Sequence, residues 1–195
     1  MANNNKIKLF FAIYAVIIVV CLLYLDEVNI LDKQLSNIIT SYSNPILNNF
    51  FISVTFMGSI IFWSLMIALF WTGKNRKIAT YLAAGLCVET LLTGSLKYGI
   101  DRARPAFGLI NELTPSFPSS HSARAFLGAT IIKHHRLLFV SIAVLVAFSR
   151  VYIGVHYPLD VIFGMMNGIM IGILINKIPE KKVERFLAKI AKLLK

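Results

Sequence analysis

Three short stretches concentrate the residues that could do chemistry. Lys97 is followed, six residues on, by Arg104-Pro105, within KYGIDRARP (97–105). Pro118-Ser119-Ser120-His121 comes next, inside PSFPSSHSAR (115–124). The third is SRVYIGVHYPLD (149–160), which spaces Ser149-Arg150, His156 and Asp160 by five and then three residues. Several cations, serine hydroxyls and a helix start carrying unpaired backbone N–H groups would make an anion pocket, and guanidinium and ammonium groups suit phosphate oxygens. Two histidines add reactivity, because one imidazole can attack while the other donates a proton. Asp160 lies four residues after His156, with Pro158 favouring a helix start between them. That spacing can return the carboxylate to the imidazole, fixing its tautomer and stabilising positive charge on it.

These polar stretches sit in an apolar chain. Its 195 residues are 57% hydrophobic and only 15% charged, against about 25% charged in soluble domains. Apolar runs recur at about 9–25, 50–72, 78–100, 119–134, 137–155 and 158–177, each near the roughly 20 residues that cross a bilayer. The expected fold is therefore all-α, a polytopic six-helix membrane bundle forming one domain over 1–195. The first run follows Lys6 and Lys8 without a small-x-small cleavage site and is expected to stay as a signal anchor. The net charge of +11 does not call for nucleic acid, because most of the basic residues flank apolar runs.

Fourteen of the twenty Lys and Arg residues fall at the two termini and in the turns around 74–77 and 133–136. The positive-inside rule assigns those positions, and both termini, to the cytoplasm. The three polar stretches then meet at the outer face. The basic tail 179–195 alternates apolar and basic residues at helical spacing, suited to the anionic inner leaflet. Gly164, Gly168 and Gly172 recur every fourth residue, the pattern of a helix face packed closely on a neighbour. Cys21 and Cys87 lie far apart in apolar runs and form no CxxC pair, so neither a metal site nor a redox motif is expected. His134–His135 falls on the opposite side from the other two histidines, and neither a Walker loop nor a GxSxG elbow occurs.

The three stretches together resemble the signature of the type 2 phosphatidic acid phosphatase (PAP2) superfamily of membrane lipid-phosphate phosphatases: Lys-x6-Arg-Pro, Pro-Ser-Gly-His, and Ser-Arg-x5-His-x3-Asp. One position departs from it, Ser120 standing where glycine is usual. The resemblance implies that His156 is the nucleophile of a phosphohistidine intermediate, held and polarised by Asp160. It implies that His121 protonates the leaving oxygen and later activates water. Lys97, Arg104, Ser119, Ser120 through its backbone N–H, and Arg150 would hold the phosphoryl oxygens, with neither metal nor cofactor. Arg124 lies outside the signature and is a candidate for a second phosphate or head group, or for pairing with Glu112 or Asp101. Glu89 is expected to be a hydrogen-bonded interior carboxylate. The expected partners are a lipid phosphate and membrane lipids. An isoprenoid carrier diphosphate such as undecaprenyl diphosphate leads, because the loops are short, with phosphatidate or phosphatidylglycerol phosphate second. A non-enzymatic anion or lipid transporter would use the same pocket but leave the His156–Asp160 spacing unexplained; a purely structural subunit would leave the whole polar cluster unexplained.

Overall fold

The computed structural model describes residue 12 and residues 25–193, so nearly all of the first expected span, with Cys21, lies outside the described residues. Among the described residues the secondary structure is helical: α1 Leu25–Thr40, α2 Pro45–Thr55, a 3-10 turn Phe56–Gly58, α3 Ile60–Thr72, α4 Arg76–Ile100, α5 Ser120–Ile131, α6 Arg136–Tyr152, α7 Pro158–Lys177 and α8 Glu180–Leu193. By length and apolar content α4 and α7 can each cross a bilayer, and the pair α2–α3 makes a third candidate span bent by 54°.

The helices start and stop where local chemistry tells them to. Asn44 caps α2 through its side chain, with Pro45 in the first turn. Ser59 caps α3 and Ser119 caps α5, each offering an oxygen to an otherwise unpaired N–H. Asp101, in the left-handed region, ends α4. Pro158 opens α7, where its missing N–H costs nothing.

The structure departs from the sequence expectation at three places. The apolar run 50–72 is not one straight helix, because Ser59 restarts the chain as a new N-cap after the 3-10 turn. Residues 26–40, assigned to no span, fall in α1, whose inward side buries Asp32 and Ser36. The expected span 119–134 is helical for only 12 residues. Its neighbours 78–100 and 158–177 match α4 and α7 to within two residues.

α5 is short but central. The Cβ that Gly164 lacks would fall 2.3 Å from the Ser119 carbonyl oxygen, and that of Gly168 2.1 Å from the Ala123 oxygen. The expected glycine stripe of α7 therefore packs directly on the backbone of α5. One apolar core joins α3, α4, α5 and α7 around Trp63, Leu82, Leu127 and Ile171; a second joins α5 and α6 around Ala125, Ala143 and Val146. Because α4 to α7 alternate in direction, the end of α4, the start of α5, the end of α6 and the start of α7 share one end of the bundle. The basic turns at 74–77 and 133–136 lie at the other.

Candidate active site

The site is assembled by backbone links between the three polar stretches. The Ser116 N–H donates to the Arg102 oxygen at 2.8 Å, and the Ser119 N–H to the Asp160 oxygen at 2.9 Å. The N–H groups of Val155 and His156 both turn back onto the Arg150 oxygen, at 3.3 and 3.2 Å. Gly154 has φ +71°, and its missing Cβ would lie 2.0 Å from the Phe107 oxygen. Only glycine can hold the 101–114 loop against the α6–α7 turn there.

Asp160 is the third helical residue of α7, where its Oδ2 accepts the Tyr157 N–H at 2.9 Å. The same oxygen accepts the Ser116 hydroxyl and stands 3.5 Å from His156 Nδ1. His156 is almost fully buried. Its other nitrogen, Nε2, faces Arg104 Nη1 at 3.3 Å. A guanidinium has only donors, so Nε2 presents its lone pair and the ring proton sits on Nδ1, toward the carboxylate. Burial drives the His156 pKa down to about 3; Asp160 opposes that shift and Arg150 and Arg104 add to it. The imidazole is thus neutral and nucleophilic throughout the physiological range.

A cavity of about 340 Å³ opens in front of Nε2, lined by Lys97, Arg104, Ser120, His121, Arg124 and His156, with Glu112 and Thr114 at its edge. Lys97 donates to the Pro115 oxygen. Arg104 spends Nε on the Thr114 oxygen at 2.7 Å and Nη1 on the Val155 oxygen at 2.6 Å. The Ser120 and His121 N–H groups belong to the unpaired first turn of α5. The cavity thus gathers three cationic side chains and two imidazoles at its wall, an arrangement suited to an anion.

The structure brings together six of the nine sequence-derived site residues at the cavity wall; the other three stand behind it. Asp160 does so as expected. Arg150 is fully buried and binds Thr55 Oγ1 at 2.8 Å and Glu112 Oε1 at 2.5 Å. Ser119 is also fully buried, its hydroxyl 3.5 Å from the Ser122 N–H and accepting from the Ser122 hydroxyl at 3.2 Å. Arg124 pairs with neither Glu112 nor Asp101; its Nε donates to the buried Glu89 at 3.0 Å.

Sequence reasoning gave Ser116 no role and Arg102 none of its own beyond the general cluster of cations, and weighed Glu112 only as a partner for Arg124. Ser116 lies in the loop just before α5, and its carboxylate partner, 44 residues away, gave no local signal. Glu112 bridges Arg150 and Arg104, and those two cations outweigh burial to hold its carboxyl below the ordinary range. Arg102 shares the first motif with Arg104 yet turns the opposite way, onto Asp160.

Comparison with known proteins agrees with this geometry. The model of the PAP2 superfamily matches residues 78–184. Phosphatidylglycerophosphatase B of Bacillus subtilis (strain 168) is 32% identical over 97% of this chain and its own entire length. An undecaprenyl-diphosphatase of Sulfolobus acidocaldarius is 36% identical over 58% of this chain and 63% of its own. The crystal structure of the first transmembrane PAP2-type phosphatidylglycerolphosphate phosphatase from Bacillus subtilis superimposes with a TM-score of 0.77 at 30% identity, covering 90% of this chain and 95% of that one.

Proposed function

Because this chain belongs to the PAP2 superfamily and is a membrane lipid phosphatase, we propose that it cleaves a terminal lipid phosphate through a phosphohistidine on His156. The observation that carries the proposal is the orientation of the ring: Nδ1 toward Asp160 and the Nε2 lone pair toward Arg104 at the cavity wall. Nε2 attacks phosphorus, the bond from phosphorus to the lipid oxygen breaks, and His121 gives that oxygen its proton. Neutral His121 then takes a proton from water, whose oxygen displaces Nε2 and releases inorganic phosphate. Asp160 balances the charge that grows on the imidazole in both steps. Lys97, Arg104 and the first-turn N–H groups of α5 meet the transition-state charge without a metal step, while Arg150 and Ser119 support that cradle from behind it.

Phosphatidylglycerol phosphate is the favoured substrate, which reverses the order expected from loop length. The near end-to-end similarity to a phosphatidylglycerophosphatase supports it. An isoprenoid diphosphate is the second reading, supported by the partial match to an undecaprenyl-diphosphatase. The basic turns at the end of α4–α7 opposite the cavity support placing the site at the outer face and both termini in the cytoplasm of a single six-span domain.

The test is phosphate release from both lipids by purified protein in detergent with chelator present. Wild type should prefer phosphatidylglycerol phosphate and form an acid-labile phosphoprotein that His156→Ala lacks. Activity surviving in His156→Ala would defeat the mechanism, and loss of wild-type activity in chelator would defeat its metal-free form.

A further inference from the structure

Asp160 is held from two sides, and only one of them belongs to the chemistry above. While Oδ2 serves His156, Ser116 and the Tyr157 N–H, Oδ1 accepts Arg102 Nη1 at 2.6 Å. The other end of that guanidinium reaches α1: Nη2 donates to Asp32 Oδ2 at 2.7 Å and to Asn29 Oδ1 at 2.7 Å. Asp32 returns to the same place, because its Oδ1 accepts the N–H of Leu159, the residue beside Asp160, at 3.0 Å. The guanidinium also lies flat over the Tyr157 ring, 4.3 Å from its centre. It is fixed on three sides, and both carboxylates it joins are buried. Neither Arg102 nor Asp32 lines the catalytic cavity.

We infer that Arg102 and Asp32 are positioning residues that set the orientation and charge of Asp160, and that α1 thereby belongs to the catalytic apparatus. Without Arg102, a buried carboxylate would lose its only cationic partner among the described residues apart from the imidazole it is meant to serve. The carboxylate would then be free to rotate away from Nδ1, and Nε2 would lose its aim. This inference rests on the proposed roles of His156 and Asp160. A rival explanation is a simple staple that keeps α1 on the bundle, which would move stability and leave turnover per folded molecule alone.

A double-mutant cycle separates the two. kcat and KM for phosphatidylglycerol phosphate are measured, per folded molecule in detergent, for Arg102→Met, Asp160→Asn and the double variant. Arg102→Met should lower kcat about 10- to 100-fold, the value of a hydrogen bond to a charged group, with KM nearly unchanged. Added to Asp160→Asn it should cost no more than about 3-fold further, because its route to the reaction has already been removed. Arg102→Lys, which keeps the charge but cannot bridge both carboxylates, should recover part of kcat. Asp32→Asn run through the same cycle gives the answer even if Arg102→Met does not fold. Losses that multiply, or a raised KM with kcat intact, would overturn the inference while leaving the His156 mechanism standing. Full activity in Asp160→Asn would overturn the mechanism beneath it.

Discussion

The seam between α5 and α7 and the polar ring at its end meet opposite demands with neighbouring residues. Along the seam the demand is for smallness: Gly164 and Gly168 admit no Cβ without striking the α5 backbone. In the ring the demand is for donors, acceptors and charge, and every carboxylate is tied to a cation or an imidazole. The two meet at Ser119, whose oxygen touches Gly164 and whose N–H binds Asp160. Packing thus places the helix start, and the ring determines what that start can do. Damage to the seam should cost folding, and damage to the ring should cost turnover.

The widest separation is expected for His156→Ala, with kcat/KM falling on the order of 10⁴-fold or more and a far smaller change in thermal midpoint in detergent. The mirror image is Gly168→Val, which should lose about 3 kcal/mol of stability through the collision with α5. Its remaining folded fraction should turn over normally; a folded but inactive Gly168→Val protein would break the comparison.

Arg124 and Glu89 test the boundary between the regions. Arg124→Ala strands a buried carboxylate and should destabilise by about 3 kcal/mol, whereas Glu89→Gln with Arg124→Met should recover most of the thermal midpoint. A smaller effect concerns pH. His156 stays neutral down to about pH 3 in the fold, while an unfolded imidazole takes its proton near 6.5. The unfolded chain therefore binds more protons between those values, and stability falls as the pH is lowered through that window, by up to about 1.4 kcal/mol per unit. Asp160, Ser116, Arg104, Arg150, Glu112 and His121 are charged and polar groups that act on the ring. Thermal midpoints between pH 7 and 4 should show the slope, and His156→Gln should reduce it. The smallest change is expected for Ser120→Gly, at the first helical position of α5, costing about 0.5–1 kcal/mol of stability and leaving kcat/KM nearly unaltered.

The parts of this molecule legible in sequence were those with local signatures. The motif spacings brought out His156, Asp160, Lys97 and Arg104 because each pair lies within one turn or one loop. α7 was legible from its start at Pro158, and its packing face from glycines four apart. What sequence left open was partner choice across long separations. Glu112 and Arg124 were weighed as a pair, yet Glu112 binds Arg150 and Arg124 binds Glu89 on α4. Asp32 lies 70 residues from Arg102 in a helix that continuous hydropathy does not mark, since α1 mixes polar and apolar residues. The break at Ser59 was hidden for the opposite reason: one serine in an apolar run looks like filler until its hydroxyl is seen to cap Phe62.

The brevity of α5 has a consequence for the depth at which polar groups can stand in this bundle. Its 12 residues span about 18 Å at helical rise, against a hydrocarbon layer about 30 Å thick. The polar cavity caps one end, and Lys133, His134 and His135 stand exposed just beyond the other. Water-loving surfaces thus approach each other far more closely here than the two faces of an undisturbed bilayer. Most of α5 is buried among its neighbours, so this short polar-to-polar distance lies inside the bundle and not against the lipid tails. The protein interior, and not a distorted bilayer, then lets ionised groups sit at a depth the hydrocarbon would not tolerate.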